Sequence, residues 1–112
     1  MTLLAVYTTV STLEDARVLA KLAINAKLAA CVQLERIESF YSWKGTMEND
    51  QEIRILFKTT PDRYDVLRDA LLEHHPYDLP AIHAVQALHV SKAYAEWLEI
   101  SLAEVAGSDG NG

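Results

Sequence analysis

The stretch of residues 37–59 constrains the fold of this chain more than any other. Alternate positions place Ile37, Ser39, Tyr41 and Trp43 on one face of a first arm, and Ile53, Ile55 and Phe57 on one face of a return arm. A polar segment containing a glycine, residues 44–50, separates the two arms. Alternation with a period of two on both sides of such a segment predicts a long antiparallel hairpin.

Strand and helix patterns alternate along the rest of the chain. Ser11 and Glu14 have the capping-box spacing, and Thr60 followed by Pro61 is typical of a helix start. Pro76 must end the second helix close to Glu73 or His74. The predicted elements are a strand over residues 3–10, a helix over 12–28, strands over 29–43 and 51–59, a helix from 61, a strand over 82–90, and a helix after Ser91 that carries Tyr94, Trp97, Leu98 and Leu102.

The second strand changes phase along its length. Val32 and Leu34 share one phase of the alternation, whereas Ile37 and the residues after it take the other. Because a shift of one residue moves every later side chain to the opposite face, this change predicts a β-bulge or a bend between Leu34 and Ile37.

The order β-α-β-β-α-β with an added C-terminal helix defines the fold class. Two split βαβ units that share one antiparallel sheet predict an α+β, ferredoxin-like sandwich, with both main helices on one face of the sheet. At 112 residues the chain has the length of a single domain, predicted over residues 1–106, with a flexible tail over residues 107–112.

The predicted hairpin is longer than the helices that would cover it. A strand over residues 29–43 spans roughly 50 Å, whereas the first helix reaches only about 24 Å, which leaves an overhang of roughly 20 Å. The overhang carries Phe40, Tyr41 and Trp43. These aromatics either fold back on the core or under the C-terminal helix, or they belong to an arm that pairs with a neighbouring subunit. We favour the arm, because an open aromatic edge promotes aggregation.

Composition narrows the classes of partner and cofactor. Ten basic against sixteen acidic residues give a net charge of −6, which repels phosphate backbones and argues against nucleic acid. The single cysteine, Cys31, excludes a disulfide framework and a cysteine-based zinc cluster within one chain. The N-terminal residues resemble neither a signal nor a membrane span, so we expect a cytoplasmic protein without a membrane partner. No cofactor is needed for folding.

Two groups of residues are candidates for binding. His74 and His75 end the second helix and form either a metal or anion site completed by another element, or a histidine pair favoured by the helix dipole. Asp50, Glu52 and Lys58 share one face of the return arm, where they either bind a polar ligand or form a solvated, salt-bridged face. His83 and His89 are predicted to be ordinary sheet residues. The sequence contains no phosphate loop, GxSxG or HExxH motif, which argues against an enzyme.

Several short motifs occur in the order found in one known family. The chain resembles the CutA family of divalent cation tolerance proteins from Leu4 to about Leu102. The motifs are KLAACV at residues 27–32, YSWKG at 41–45, Glu52 with Lys58-Thr59, HPYDLP at 75–80, and Tyr94 with Trp97. The resemblance implies a homotrimer of ferredoxin-like subunits, with hairpins that pair between neighbours and with intersubunit clefts like those of PII proteins.

The resemblance also implies site residues. The metal-contacting positions of copper-binding members fall on His74 and His75, with a thiol position that is Tyr7 here. Imidazole without thiolate suits Cu(II) or Zn(II), so we expect weak binding of a divalent cation. Relatives commonly carry Glu at the position of Ala81, and Asn is frequent at that of Gln33.

The alternative function is that of a PII-like sensor, which binds a small anionic or polar ligand in the intersubunit cleft. The residues predicted to line that cleft are Trp43, Glu52, Lys58 and Tyr77.

Overall fold

The computed structural model describes residues 2–103. The elements are β1 (Leu4–Val10), α1 (Leu13–Asn25), β2 (Cys31–Trp43), β3 (Thr46–Thr59), a 3-10 turn (Pro61–Arg63), α2 (Tyr64–His74), β4 (His83–Gln86) and α3 (Lys92–Ala103). The order of strands and helices agrees with the prediction. The predicted tail lies outside the described residues.

The four strands form one antiparallel sheet in the order β2-β3-β1-β4. Its covered face packs Val6, Ile55 and Phe57 against Leu19 of α1 and Leu67 of α2, all of which are buried. Burying one such side chain contributes roughly 1.5–3 kcal/mol. This apolar layer fixes the direction of β3 and therefore of the hairpin that continues from it.

The third helix packs on a separate, smaller cluster. Leu98 and Leu102 of α3 are buried with Leu3, and Ala5 and Tyr94 lie at the edge of this cluster. Ala5 alternates along β1 with the buried Val6, so α3 covers the opposite face of the sheet near the start of β1. The remainder of this second face, which we call the open face, is not covered by a helix of the described chain. None of the described helices has the length and apolar character that crossing a membrane requires.

The hairpin has one unbroken register. Every residue of β2 pairs with β3, from Cys31 opposite Lys58 to Trp43 opposite Thr46, so the predicted bulge between Leu34 and Ile37 is wrong. The apolar side chains change phase because the strand leaves the helices behind. Val32 and Leu34 face the helical layer, whereas Ile37 and Trp43 face the open side of the sheet.

The turn of the hairpin is shorter than predicted. Lys44 and Gly45 have φ angles of 51° and 80°, and β3 begins directly after them at Thr46. Two consecutive positive φ angles are what a type I′ turn requires, and this turn matches the twist of paired strands. Residues 46–50 therefore belong to the strand, contrary to the predicted polar loop.

The predicted overhang is present, and we call it the distal hairpin (residues 37–52). The last pair between β1 and β3 joins Val10 to Ile53, so the residues beyond it extend past the rest of the sheet by about 23 Å. Phe40 is 64% exposed and Trp43 is 49% exposed. The alternative in which these aromatics fold back into the core is therefore wrong for the single chain.

Several element boundaries differ from the prediction. The N-cap of α1 is Thr12 rather than Ser11, because the Thr12 side chain accepts a hydrogen bond from the Asp15 amide. The helix ends at Asn25, before Lys27 takes a left-handed conformation with φ of 58°. The fourth strand stops at Gln86 instead of residue 90, because Ala87 donates to the carbonyl of Leu3 and β1 has no residue left to pair.

The prediction for the second helix is confirmed at its end and its buried face, but the α-helix begins at Tyr64 and not at Pro61, and Thr60 makes no side-chain capping hydrogen bond. Thr60 precedes Pro61 at the start of the 3-10 turn that leads into α2, and α2 ends at His74. Leu67 and Leu71 form its buried face, as the spacing predicts.

Candidate functional site

A cavity of about 580 Å³ lies between the distal hairpin and the connector that follows α2, residues 75–81. We call it the acidic pocket. Its carboxylates come from Glu48, Asp50, Glu52 and Asp78, and its aromatic walls from Tyr41, Trp43 and Tyr77.

The pairing of the hairpin explains why these side chains share one cavity. Glu48, Asp50 and Glu52 occupy alternate positions of β3, so all three point to the same side of the strand. Their cross-strand partners include Tyr41, opposite Glu48, on that same side. Pro76 and Pro80 restrict the connector, which carries Asp78 and the Tyr77 ring to the opposite wall.

Hydrogen bonds join the aromatic and acidic residues of the pocket. The Tyr77 hydroxyl donates to Glu52 Oε2 at 2.7 Å, and Ser11 Oγ donates to the Tyr77 hydroxyl oxygen at 2.9 Å. The Tyr41 hydroxyl donates to Asp50 Oδ2. The bond to the Asp50 carboxylate raises the pKa of Tyr41 to about 12. Burial, together with the bond to Glu52, raises the pKa of Tyr77 to about 12.

His75 uses both ring nitrogens to fix the connector. Its Nδ1 accepts a hydrogen bond from the Tyr77 backbone N–H at 3.1 Å, so the ring proton is on Nε2. Nε2 lies 3.0 Å from Thr8 Oγ1 and donates a hydrogen bond to it. Thr8 belongs to β1 and is only 1% exposed. Burial lowers the pKa of His75, which favours this neutral ring. A metal ion at His75 would have to displace one of the two hydrogen bonds.

The structure brings together three of the four residues predicted for the ligand cleft. Trp43, Glu52 and Tyr77 line the acidic pocket. Lys58 lies six residues from Glu52 along β3, about 20 Å away, and its ammonium is 5.3 Å from the Tyr94 ring centroid of α3. Within one chain, therefore, Lys58 does not line this pocket. Its place in a cleft between subunits remains a prediction.

The predicted metal residues lie side by side at the end of α2. His74 is exposed in the last turn of the helix, whereas His75 is half-buried in the connector. Across residues 2–103, no group of three or more His, Cys, Asp or Glu side chains could hold a metal ion. The carboxylates of the acidic pocket line a cavity and do not converge on one point.

Tyr7, which stands where the resemblance implies a thiol, belongs to a row of aromatic and charged side chains on the open face. The Tyr7 ring stacks on His83 with 5.3 Å between centroids, and the Arg54 guanidinium lies 5.8 Å from the Tyr7 ring. Arg54 Nη2 in turn donates to Glu35 Oε1 at 2.7 Å. The phenol of Tyr7 therefore packs between neighbours on the sheet and offers no soft ligand.

Several residues that line the pocket were not predicted from the sequence, and four of them carry its polar groups or a ring. Glu48 was assigned to a turn, and Asp78, Tyr41 and Ser11 were given no role in binding. The alternation of acidic residues at 48, 50 and 52 was a usable signal, because a strand that began directly after Gly45 would place them on one face.

These observations define a class: across residues 2–103, the protein is a mixed α+β fold with a four-stranded antiparallel sheet, three α-helices and a projecting hairpin that forms one wall of an acidic pocket. A family model described as "CutA1 divalent ion tolerance protein" matches residues 4–101. The chain belongs to this family.

Named relatives agree with the match. The divalent-cation tolerance protein CutA of Pyrococcus horikoshii is 35% identical over 96 residues, which cover 86% of this chain and 94% of the relative. The solved structure of CutA from Synechococcus elongatus superposes with a TM-score of 0.88 at 40% identity, covering 91% of each chain. A second structure from that organism, "complexed with Bis-Tris molecule", has a TM-score of 0.83 at 39% identity, covering 89% of this chain and 93% of the other.

Proposed function

We propose that this protein acts in tolerance of divalent cations, as a cytoplasmic homotrimer that binds such cations weakly. Membership of the family supports the role in tolerance, because relatives at 35% and 33% identity carry the name of divalent-cation tolerance proteins. The chain follows the ferredoxin-like arrangement in this proposal, with the distal hairpin as the arm between subunits.

The row of carboxylates at alternate positions of β3 is the observation that carries cation binding. Carboxylate oxygens are the ligands that hard divalent cations prefer. Side chains two residues apart on a strand are separated by about 7 Å, which is too far for two of them to chelate one ion closely. The row therefore supports weak binding in which the cation keeps part of its water shell.

Copper or zinc has a second candidate position at His74 and His75. Imidazole suits Cu(II) and Zn(II), and His74 is exposed at the end of α2. Both ring nitrogens of His75 are already hydrogen-bonded, one to the Thr8 hydroxyl and one to the Tyr77 amide, so a metal ion would compete with one of these bonds. The expected affinity is correspondingly low.

The distal hairpin supports the homotrimer. Over residues 46–52 the edge of β3 that would face β1 has no strand of the described chain beside it, so its backbone groups can pair with a neighbour. Phe40 and Met47, which lie on the face of the distal hairpin turned away from the acidic pocket, expose apolar surface. Covering such surface contributes roughly 25 cal/mol for each Å² removed from water.

We propose no enzymatic role, because the matching family is described by tolerance of divalent ions and not by a reaction. The PII-like sensor of an anionic ligand is not favoured. Within the described residues, no basic side chain lines the acidic pocket. An anionic ligand would therefore meet four carboxylates and no cationic side chain among the residues that line the pocket.

Titration calorimetry tests the metal sites. Cu(II), Zn(II) and Mn(II) are titrated into the wild type, into Asp50→Asn/Glu52→Gln and into His74→Ala, which leaves the bonds of His75 intact. We expect Mn(II) affinity to fall in the carboxylate variant and Cu(II) affinity to fall in His74→Ala. Wild-type affinity for every ion in both variants would show that neither position is the site.

Two further measurements address assembly and role. Sedimentation velocity at micromolar concentration should give a trimer, and a monomer would contradict the assembly. Cells that lack the chain should regain growth at elevated copper or zinc when the wild type is expressed. Failure of the wild type to restore growth would contradict the role in tolerance.

A further inference from the structure

We propose that the acidic pocket binds an organic ammonium ion, of the class of aliphatic diamines and polyamines. Carboxylates of the pocket would accept hydrogen bonds from the ammonium groups. The aromatic walls would hold the positive charge and the methylene chain. This inference uses the pocket of the proposed function but does not depend on metal binding.

The size of the pocket and the spread of its charges point to an extended ligand. A volume of about 580 Å³ lies within the range of roughly 300–1,000 Å³ that is typical of small-molecule sites, and it far exceeds the needs of a bare ion. Successive carboxylates of β3 are about 7 Å apart. A diamine with four or five carbons between its nitrogens presents two charges at a comparable separation.

The aromatic side chains distinguish an organic cation from a metal ion. Trp43, Tyr41 and Tyr77 contribute rings to the same cavity as the carboxylates. Aromatic faces attract ammonium groups and pack against methylenes, whereas a hydrated metal ion gains nothing from such apolar walls. A site built only for a divalent metal would not need three aromatic rings.

The chain itself provides an alkylammonium group at one of these rings. The Nζ of Lys44 lies 5.9 Å from the centroid of the Trp43 ring. This distance is within the range of a cation–π contact. The contact shows that an ammonium group can lie beside the Trp43 ring.

The hydrogen bonds of the two tyrosines fit the same ligand. The hydroxyls of Tyr41 and Tyr77 donate to Asp50 and Glu52, and each carboxylate has a second oxygen with which to accept from an ammonium group. Both phenols hold their protons far above neutral pH, since the pKa of each is about 12. The rings therefore remain neutral donors, and the carboxylates supply the negative charge.

Calorimetry with cadaverine as the probe tests the proposal on the full-length chain at low ionic strength. Glutarate, a five-carbon dicarboxylate, is the ligand of opposite charge. The variants are Trp43→Leu and Glu52→Gln, with Glu38→Gln as the matched control. Glu38 pairs with Gln51 in the same hairpin and points to the other face, and its substitution makes the same change in charge.

We expect cadaverine to bind the wild type and Glu38→Gln equally, and to bind Trp43→Leu and Glu52→Gln at least tenfold more weakly. Glutarate should not bind. Wild-type affinity in Trp43→Leu would overturn the proposal, because it would reduce the effect to general charge attraction. An absence of heat at millimolar cadaverine, or equal binding of glutarate, would overturn it as well.

A measurement on the unmodified chain guards against variants that fail to fold. The indole N–H signals of Trp43 and Trp97 are followed by NMR while cadaverine is added. The Trp43 signal should move in a saturable way, and the Trp97 signal on α3 should stay in place. Equal shifts of both signals, or none, would contradict the site.

The metal-binding proposal is tested separately. If Trp43→Leu still binds Mn(II), the proposed metal function stands whether or not cadaverine binds.

Discussion

The Tyr77 hydroxyl donates a hydrogen bond to Glu52 Oε2 over 2.7 Å, and this bond joins the connector after α2 to the distal hairpin. Ser11, which follows β1, donates to the same hydroxyl oxygen. One phenol therefore links three separate parts of the chain, and it forms one wall of the acidic pocket.

Removal of this hydroxyl should loosen the connector. Tyr77→Phe keeps the ring but loses both bonds, and the bond to the charged Glu52 is expected to contribute about 1.5 kcal/mol in this half-exposed site, the lower end of the range for bonds to charged groups. We expect the free energy of unfolding in urea to fall by about that amount. Ser11→Ala, which removes only the second bond, is the control and should cost less. Comparisons must use equal protein concentrations, because assembly changes apparent stability. Equal stability of Tyr77→Phe and wild type would show that the bond contributes nothing.

Stability should decline in mildly acidic solution because of His75. Its pKa is lowered in the folded state by burial, from an unfolded value of about 6.5. The unfolded chain therefore binds the proton more readily, and stability rises with pH in this range. The contribution is complete above pH 6.5 and is lost as the pH falls below that value towards the lowered pKa of the folded state.

Unfolding in urea at a series of pH values measures this effect. His75→Gln retains an acceptor for the Tyr77 amide but cannot take up the proton, so its stability should vary less between pH 7 and pH 5 than that of the wild type. His74→Gln is the neighbouring control and should keep the wild-type slope. If all three proteins gave the same slope, the role assigned to His75 would be wrong.

Two tyrosines should titrate at unusually high pH. The pKa of Tyr41 and the pKa of Tyr77 are both raised to about 12, the first mainly by its bond to Asp50 and the second mainly by burial. Asp50→Asn should therefore lower the pKa of Tyr41 towards 10 and affect Tyr77 much less. NMR of tyrosines labelled with ¹³C at the ζ carbon resolves the individual rings. An unchanged Tyr41 titration in Asp50→Asn would contradict the assignment.

The stability of the hairpin turn should depend on the backbone conformation of Gly45 and not on the atoms around it. A Cβ atom at this position would have nothing within 4 Å, but the φ angle is +80°. Gly45→Ala should therefore cost about 1–2 kcal/mol through backbone strain alone. Asn tolerates the left-handed region better, so Gly45→Asn should cost less. Thermal unfolding followed by circular dichroism checks the order, and equal melting temperatures for all three proteins would refute it.

The sequence predicted the hairpin, the order of elements and the exposed aromatics well, because these features depend on local periodicity. One error arose where two neighbouring residues satisfied the same local rule for a helix start. Ser11 and Thr12 each stand three residues before an acidic residue, so both have the capping-box spacing, and only the fold decides that Thr12 caps. Ser11 is thereby left to reach Tyr77.

The predicted bulge failed for a different reason. The change of apolar phase after Leu34 was interpreted as a change in the backbone, but the backbone pairs regularly with β3 throughout. What changes is the side of the sheet on which apolar groups are placed, because the helices cover only the part of the hairpin near β1. Periodicity reports which face is apolar and cannot tell what covers that face.

The pocket was predicted only in part, because its walls are distant in sequence. Tyr77 and Glu52 share a hydrogen bond across 25 positions, and no local pattern encodes it. Lys58 was grouped with Glu52 because they share a strand face, yet distance along the strand separates them. A shared face is necessary for a shared site but does not establish one.

The unbroken pairing of the distal hairpin limits how its length can change. Removing one residue from each arm would keep the pairing but would turn every side chain beyond the deletion to the opposite face. Trp43 and the acidic row would then leave the pocket and point towards the side on which Phe40 now lies. Each side chain of the distal hairpin keeps its face only if both strands lose or gain two residues together. The length of the distal hairpin can therefore change only in steps of about 7 Å.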